Sequence, residues 1–258
     1  MNLKAARCIG LCTLIILLGS HTAYAKPAQK NRQYYEERGE IVWEVPTHDK
    51  LIALTFDDGP DPVQTPQILA LLQQYQAKGT FFVLGKWAEK FPELIQQEQR
   101  EGHEIANHTY AHTYAVRSTR ADKYSLEMNE AEKSIVEAGA ARPLLFRPPG
   151  GYYNDMVIQA AKQQGYTIVL WSWHQDTRDW ASPGVSAIVN KVLKNARNGD
   201  IVLFHDKVEG KSQTVTALKT ILPKLQEQGY RFVTVSELLA VKAREAAKHN
   251  MTSPSKRP

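Results

Sequence analysis

The chain has 258 residues, with 32 Lys and Arg against 27 Asp and Glu and a formal net charge of +5. That length suits one large α/β domain or two small ones and allows a sizeable core. The basic surplus is mild and no basic run interleaves with aromatics, so nucleic acid is excluded as an expected partner, whereas an anionic wall or membrane surface remains compatible.

Residues 1–25 read as a secretory signal peptide: Lys4 and Arg7 form a basic n-region, Cys8 to Gly19 an apolar stretch, and Ala23-Tyr24-Ala25 a small-residue cleavage site before Lys26. The apolar stretch is short for a spanning helix, which needs about 20 residues; an uncleaved N-terminal anchor is the alternative. The expected location is secreted or associated with the cell wall, with no other segment fit to cross a membrane. Both cysteines, Cys8 and Cys12, lie in the leader, so the mature chain would form no disulfide. Leu11 just before Cys12 makes a poor lipidation signal. Cleavage would remove two basic residues and no acid, leaving +3 from 30 basic and 27 acidic residues. Residues 26–40 are polar and aperiodic and read as a spacer. The domain is expected over 41–248, a disordered tail over 249–258, and the protein as a monomer.

Leu51 to Leu54 is a short apolar run that ends in Thr55-Phe56-Asp57-Asp58-Gly59-Pro60-Asp61, which reads as a buried strand delivering two adjacent carboxylates to a turn. Successive strand side chains point to opposite sides, so Asp57 and Asp58 are expected to divide the work, one holding an ion and the other a proton. A helix follows with Ile68, Leu69, Leu72 and Tyr75 on one face, then a strand from Thr80 to Leu84 and a helix opened by Pro92. The next strand, His103 to Asn107, delivers His108. Tyr124, Met128, Ala131, Ile135 and Ala138 form the core stripe of a long helix. Leu144 to Phe146 is a strand leading into Arg147-Pro148-Pro149-Gly150-Gly151, an irregular turn. A helix over 154–164, a strand over 167–173, a helix over 185–196, a strand over 201–204 delivering His205-Asp206, a helix through Ala217 to Leu225, a strand over 231–235 and a helix from Ser236 complete the chain.

This alternation predicts an α/β fold with a parallel sheet, closed or nearly closed as a barrel. Asp57-Asp58, His108, Arg147, Asp176 to Asp179 and His205 each follow a strand end, the rim on which barrel enzymes build their sites. His108 and His112 stand at i and i+4, on one face if the segment is helical. With one carboxylate they would form a metal set that leaves positions open for water and substrate. Zinc is the first expectation, and cobalt, nickel, iron and manganese are accepted by the same ligands. Blander roles suit other residues: His103 as a hydrogen-bonding residue at a strand start, His174 and His48 without a partner at useful spacing, Asp206 as a turn or N-cap residue, and Tyr152 and Tyr153 either lining a groove or packing.

Five segments, Thr55-Phe56-Asp57-Asp58-Gly59, His108-Thr109-Tyr110-Ala111-His112, Arg147-Pro148-Pro149-Gly150, Asp176-Thr177-Arg178-Asp179-Trp180 and Leu203-Phe204-His205, resemble in order the five motifs of the polysaccharide deacetylases, the NodB homology domain or carbohydrate esterase family 4. The resemblance spans roughly residues 48 to 236. It implies a distorted, nearly closed β/α barrel of about seven strands and metal-dependent removal of N-acetyl groups from a polysaccharide. Carried over, it makes Asp57 the general base, Asp58, His108 and His112 the ligands of one divalent ion, and His205 the general acid. Arg147 would pair with Asp57, and Asp179 or Asp176 would orient His205. Leu203 would floor the acetyl pocket, Trp180 would wall the groove, and the Gly150 amide would help bind the oxyanion; many relatives carry Tyr where Gly150 stands. Peptidoglycan N-acetylglucosamine is the first substrate expected, chitin-type oligomers the next, with acetylxylan O-deacetylation or non-catalytic wall binding as alternatives. A glycoside hydrolase would place two carboxylates across the scissile bond and leaves the His pair unexplained. A phosphoesterase would call for more ligands than the chain offers.

Overall fold

The computed structural model describes residues 30–115 and 120–252; the leader expected over 1–25 lies outside them. Eight strands and nine α-helices are found among the described residues. The strands are β1 (Ile41–Val42), β2 (Leu51–Asp57), β3 (Gly79–Val83), β4 (Glu104–Asn107), β5 (Leu145–Phe146), β6 (Thr167–Val169), β7 (Asp200–His205) and β8 (Arg231–Phe232). The helices are α1 (Arg32–Glu37), α2 (Gln64–Gln74), α3 (Gly85–Lys90), α4 (Pro92–Arg100), α5 (Ala121–Glu137), α6 (Asp155–Gln163), α7 (Val185–Asn195), α8 (Thr214–Glu227) and α9 (Val235–Thr252).

Every pairing is parallel, in the order β1-β6-β5-β4-β3-β2-β7, with β8 joined to the start of β2. The sheet curls until its edges meet through irregular chain: Ser172 donates its N–H to Ile201 at 3.0 Å, Val45 donates to Gly199 at 2.9 Å, and Asp176 bridges to Leu203. The result is the expected distorted, nearly closed barrel. Covered on both faces, β2 is buried at all seven positions, as its unbroken apolar run requires.

The two-residue period of the strands sorts the core. Leu51 and Ala53 of β2, Phe82, Ala106, Leu145, Val169 and Ile201 pack together inside the barrel, whereas Ile52, Leu54, Phe56, Val202 and Phe204 pack outward under α2, α7 and α8. Continuing the inward parity by two-residue steps carries four of the strands to a polar residue at the rim. Leu51, Ala53 and Thr55 lead to Asp57, Ala106 to His108, Leu145 to Arg147, and Ile201 and Leu203 to His205. One rule of strand geometry therefore aims four chemically competent side chains into the mouth.

Three departures from expectation concern element boundaries. The spacer expected up to residue 40 contains α1, capped by the Asn31 side chain accepting from the Tyr34 N–H at 3.0 Å. Tyr35 is buried there, 5.4 Å edge-on from Tyr153, and Arg32 pairs with Glu44 at 2.8 Å, so this stretch packs on the barrel. At the other end α9 runs to Thr252, past the expected start of a disordered tail at 249. The strand expected over 167–173 stops at Val169, because Leu170 and Ser172 turn their amides to Val42 and Ile201 on the two opposite edges of the sheet.

Candidate active site

Asp57 ends β2 directly beside His205 at the end of β7, the two being register partners. Arg147, fully buried, clamps Asp57: Nη1 donates to Oδ1 at 2.6 Å and to Thr55 Oγ1 at 2.9 Å, while Nε and Nη2 donate to the carbonyls of Val169 and Leu170 at 3.0 and 2.8 Å. Four hydrogen bonds from one guanidinium fix its plane, and with it the carboxylate. Burial pulls the Arg147 pKa down, opposed by the charge of Asp57.

Asp58 follows with φ 77°, a left-handed conformation that costs an L-residue about 1–3 kcal/mol and swings its carboxylate away from that of Asp57. The Asp58 Oδ1 atom lies 3.4 Å from His108 Nε2 and 3.2 Å from His112 Nε2. His108 and His112 do not share a helix face. Thr109 and His112 have φ of 69° and 66°, so the expected helical turn is a strained loop that nonetheless converges both rings on one carboxylate.

Asp58, His108 and His112 offer three ligand atoms within 4.8 Å of one another. The donor set suits a divalent ion. Asp58 Oδ1 is buried without a hydrogen-bond partner. His108 Nδ1 lies 2.6 Å from the Arg147 carbonyl, which obliges that nitrogen to carry a proton and turns Nε2 toward Asp58. Burial, then the charge of His108, hold the His112 pKa below its usual value, and Lys86 acts in the same sense. Asp58 is held down to about 2, its desolvation being outweighed by His108, His205 and His112.

His205 is oriented by Asp179, not by Asp176. Asp179 Oδ1 accepts from His205 Nδ1 at 2.7 Å, and Oδ2 accepts from the His205 backbone N–H at 2.8 Å and from Thr214 Oγ1 at 2.6 Å. Asp176 instead accepts from the Arg178 N–H at 3.0 Å. Burial alone would lower the His205 pKa, but Asp179, then Asp57 and Asp58, raise it to about 9. The ring is therefore an imidazolium at neutral pH.

The supporting residues surround this cluster. Leu203 is buried one inward step below His205. Trp180, 53% exposed, follows Asp179 and donates its N–H to Asp179 Oδ1 at 3.1 Å. Gly150 has φ 64°, and a Cβ there would stand 2.9 Å from the rings of Tyr114 and Tyr152, so a side chain would be strained and would crowd both rings. Tyr114 lies 4.9 Å from His112, which brings Gly150 to the His112 side of the mouth. Tyr152 is 60% exposed there, whereas Tyr153 packs on Tyr35 and Trp43.

Sequence reasoning passed over Thr214 and misread Asp206. Thr214 lies 35 positions from the Asp179 it supports, with no spacing signal to reveal it. Asp206 is no turn or N-cap residue: it is buried, accepts from Thr65 Oγ1 at 2.5 Å, and lies against Gly59, where any Cβ would collide with it. Burial pushes its carboxyl up to about 7, helped by the charges of Asp58 and Asp57. His103 accepts the Gly79 N–H at 3.1 Å, the strand-start role expected of it.

A strand-end carboxylate clamped by arginine, a three-ligand corner and a carboxylate-backed imidazolium on one barrel mouth define a hydrolase with a candidate metal centre. The family model for polysaccharide deacetylase matches residues 44–169. A peptidoglycan-N-acetylglucosamine deacetylase of Bacillus cereus is 56% identical over 211 residues, covering 82% of this chain and 98% of the relative. A chitooligosaccharide deacetylase of Sinorhizobium fredii is 37% identical over 191 residues, covering 69% of this chain and 87% of its own. A solved peptidoglycan N-acetylglucosamine deacetylase, in complex with 4-naphthalen-1-yl-N-oxidanyl-benzamide, superposes with a TM-score of 0.75 at 36% identity, covering 79% of this chain and 94% of that one. The chain belongs to the polysaccharide deacetylases.

Proposed function

We propose that the protein hydrolyses the N-acetyl groups of peptidoglycan N-acetylglucosamine, using one divalent ion held by Asp58, His108 and His112. The observation that carries this reading is the placement of Asp57. It adjoins the ligand corner through Asp58, is clamped by Arg147 at 2.6 Å, and sits one strand from the His205 imidazolium.

When bound, the ion would polarise the amide carbonyl and acidify the attacking water, and zinc suits two imidazoles with one carboxylate. Asp57 takes the water's proton as its oxygen adds to the acetyl carbon. The Gly150 backbone N–H faces the oxygen on which negative charge develops. His205 gives its Nε2 proton to the nitrogen, the C–N bond breaks, and acetate leaves from the free amine. Asp179 keeps Nε2 aimed into the mouth by holding Nδ1. Leu203 supplies the apolar floor for the methyl group, and Trp180 walls the sugar groove. Export through the leader at residues 1–25 would bring the enzyme to this substrate.

Peptidoglycan ranks first because the relative at 56% identity carries that name; chitin-type oligomers come next through the chitooligosaccharide relative. Acetate release from purified peptidoglycan, chitooligosaccharides and acetylxylan, each with and without prior chelation, tests the reading. Release from the first, abolished by chelator and restored by zinc, is expected. Release from acetylxylan alone, or full activity after chelation, would sink it.

A further inference from the structure

Beside the ligand corner lies a cluster of like charges for which the chemistry above has no use. Trp87 of α3 has three ammonium groups around its indole: Lys207 Nζ at 4.6 Å, Lys86 Nζ at 5.3 Å and Lys90 Nζ at 5.4 Å. Lys90 also lies 5.3 Å from the ring of Phe91. Lys207 pairs with Asp61 at 3.1 Å, but among the described residues no carboxylate pairs with Lys86 or Lys90. Glu89, the acid between them, accepts from the Tyr110 hydroxyl at 2.8 Å. Asp61 is further occupied in accepting the N–H groups of Val63 and Gln64 at 2.9 Å each.

The cluster is fixed to the site. Leu84, just ahead of α3, donates its N–H to Gly59 at 3.1 Å, next to Asp58. Gly85 and Lys86 donate theirs to the carbonyls of Thr109 and Tyr110 at 3.0 and 3.1 Å, inside the loop that carries His108 and His112. A Cβ on Gly85 would stand 2.6 Å from the Ala131 backbone, so α3 is seated too closely to drift. Lys207 follows His205 and Asp206 out of β7. Three cations held around one ring repel one another. Each gains little from an exposed aromatic face, and an approaching anion relieves the repulsion.

We infer that Lys86, Lys90 and Lys207, arrayed on Trp87, form a subsite for the carboxylates of an anionic glycan strand, so that the enzyme selects a carboxylate-bearing peptidoglycan chain over a neutral homopolymer of N-acetylglucosamine. This inference rests on the deacetylase reading and adds the charge of the preferred strand. Exposed charges of this kind act mainly on encounter and register, and salt screens them over about 8 Å at physiological ionic strength.

The test measures kcat/KM for acetate release from peptide-bearing peptidoglycan fragments and from neutral chitooligosaccharides, at low and at 0.15 M salt. The enzymes compared are wild type, the pair Lys86→Gln with Lys90→Gln, and the pair Lys86→Glu with Lys90→Glu. The expected result is a fall in the anionic-to-neutral ratio of roughly threefold for neutralisation and roughly tenfold for reversal, larger at low salt, with metal content and thermal midpoint kept. A ratio that stays at the wild-type value overturns the inference, whether both activities fall together or neither moves. So does a wild-type enzyme active only on the neutral oligomer. Wild type releasing no acetate from either substrate would instead remove the deacetylase reading itself.

Discussion

Among the described residues, two clusters of histidine and carboxylate bring their ligand atoms within 4.8 Å, and only one of them is built to receive something. In the pair formed by His174 and Asp200, with Glu44 nearby, the oxygens are committed. Asp200 receives His174 Nε2 at 2.9 Å, Gln175 Nε2 at 2.9 Å and the Arg197 N–H at 2.9 Å, and Glu44 is paired with Arg32 at 2.8 Å. At the mouth, Asp58 Oδ1 is buried without a hydrogen-bond partner, and Asp58, Thr109 and His112 hold strained left-handed backbone there. Proximity of ligand types is thus a poor sign of a site. Unspent hydrogen-bonding capacity, held in place at a cost, is the better one.

The sharpest way to break the contrast is to remove a ligand. Asp58→Ala or His108→Ala should lose bound metal and acetate release together, by about 10³-fold or more, since a catalytic ion supplies several kcal/mol of transition-state stabilisation. Metal analysis beside an acetate assay checks this. A variant keeping its ion and most of its rate would put Asp58 in the same class as Asp200. Next in size is His205→Ala, expected to cost on the order of 10² to 10⁴ in rate while leaving metal and fold in place. Loss of metal in that variant would mean His205 belongs to the ligand set.

The contrast also marks what a sequence reader could and could not see. The rim was legible because strand parity is a local rule: Asp57, His108, Arg147 and His205 each stand an even number of positions from a barrel-lining residue, and each follows a short apolar run. The choice of Asp179 over Asp176 was not legible, because both precede β7 by similar distances and a left-handed Arg178, φ 52°, turns the second acid inward. Nor was the His108–His112 loop. An i, i+4 spacing suggests a helix, and the two positive-φ residues that unmake it are a threonine and a histidine with no glycine to betray the turn. His174 found its partner 26 positions away across the sheet closure, where no pattern along the chain points. The helix α1 was hidden by its polar composition, since Tyr35 is its one buried residue.

A third prediction sharpens the comparison by acting on charge alone. Because Asp179 raises the His205 pKa, the imidazolium needed to protonate the leaving nitrogen persists as pH rises until about 9, and activity should decline above that. A divalent ion in the mouth adds positive charge and draws that limb lower. Asp179→Asn removes the negative partner and leaves burial unopposed, so the alkaline limb should move to lower pH and the rate at pH 8 should drop by roughly 10- to 100-fold. In the chelated protein, the raised pKa stabilises the fold fully below about 6.5 and ceases to do so as pH rises through about 9, so the variant's stability deficit should shrink toward pH 10. An unchanged pH profile would separate Asp179 from the proton donor.

The smallest effect on catalysis belongs to the satisfied cluster. His174→Asn removes one half of a buried pair, leaving Asp200 with its two N–H donors but without the ring. The cost should be about 2–4 kcal/mol in a denaturant titration, below the loss for a wholly abandoned charge because those two donors remain. Acetate release per folded molecule should stay within about twofold of wild type, since His174 lies beneath α7 and not in the mouth. Metal analysis decides between the readings: one ion per chain in both proteins fits a structural pair, whereas two ions in wild type and one in the variant would show that Glu44, His174 and Asp200 had been misjudged. The same measurement on Asp58→Ala, run alongside, makes the two corners of the barrel controls for each other.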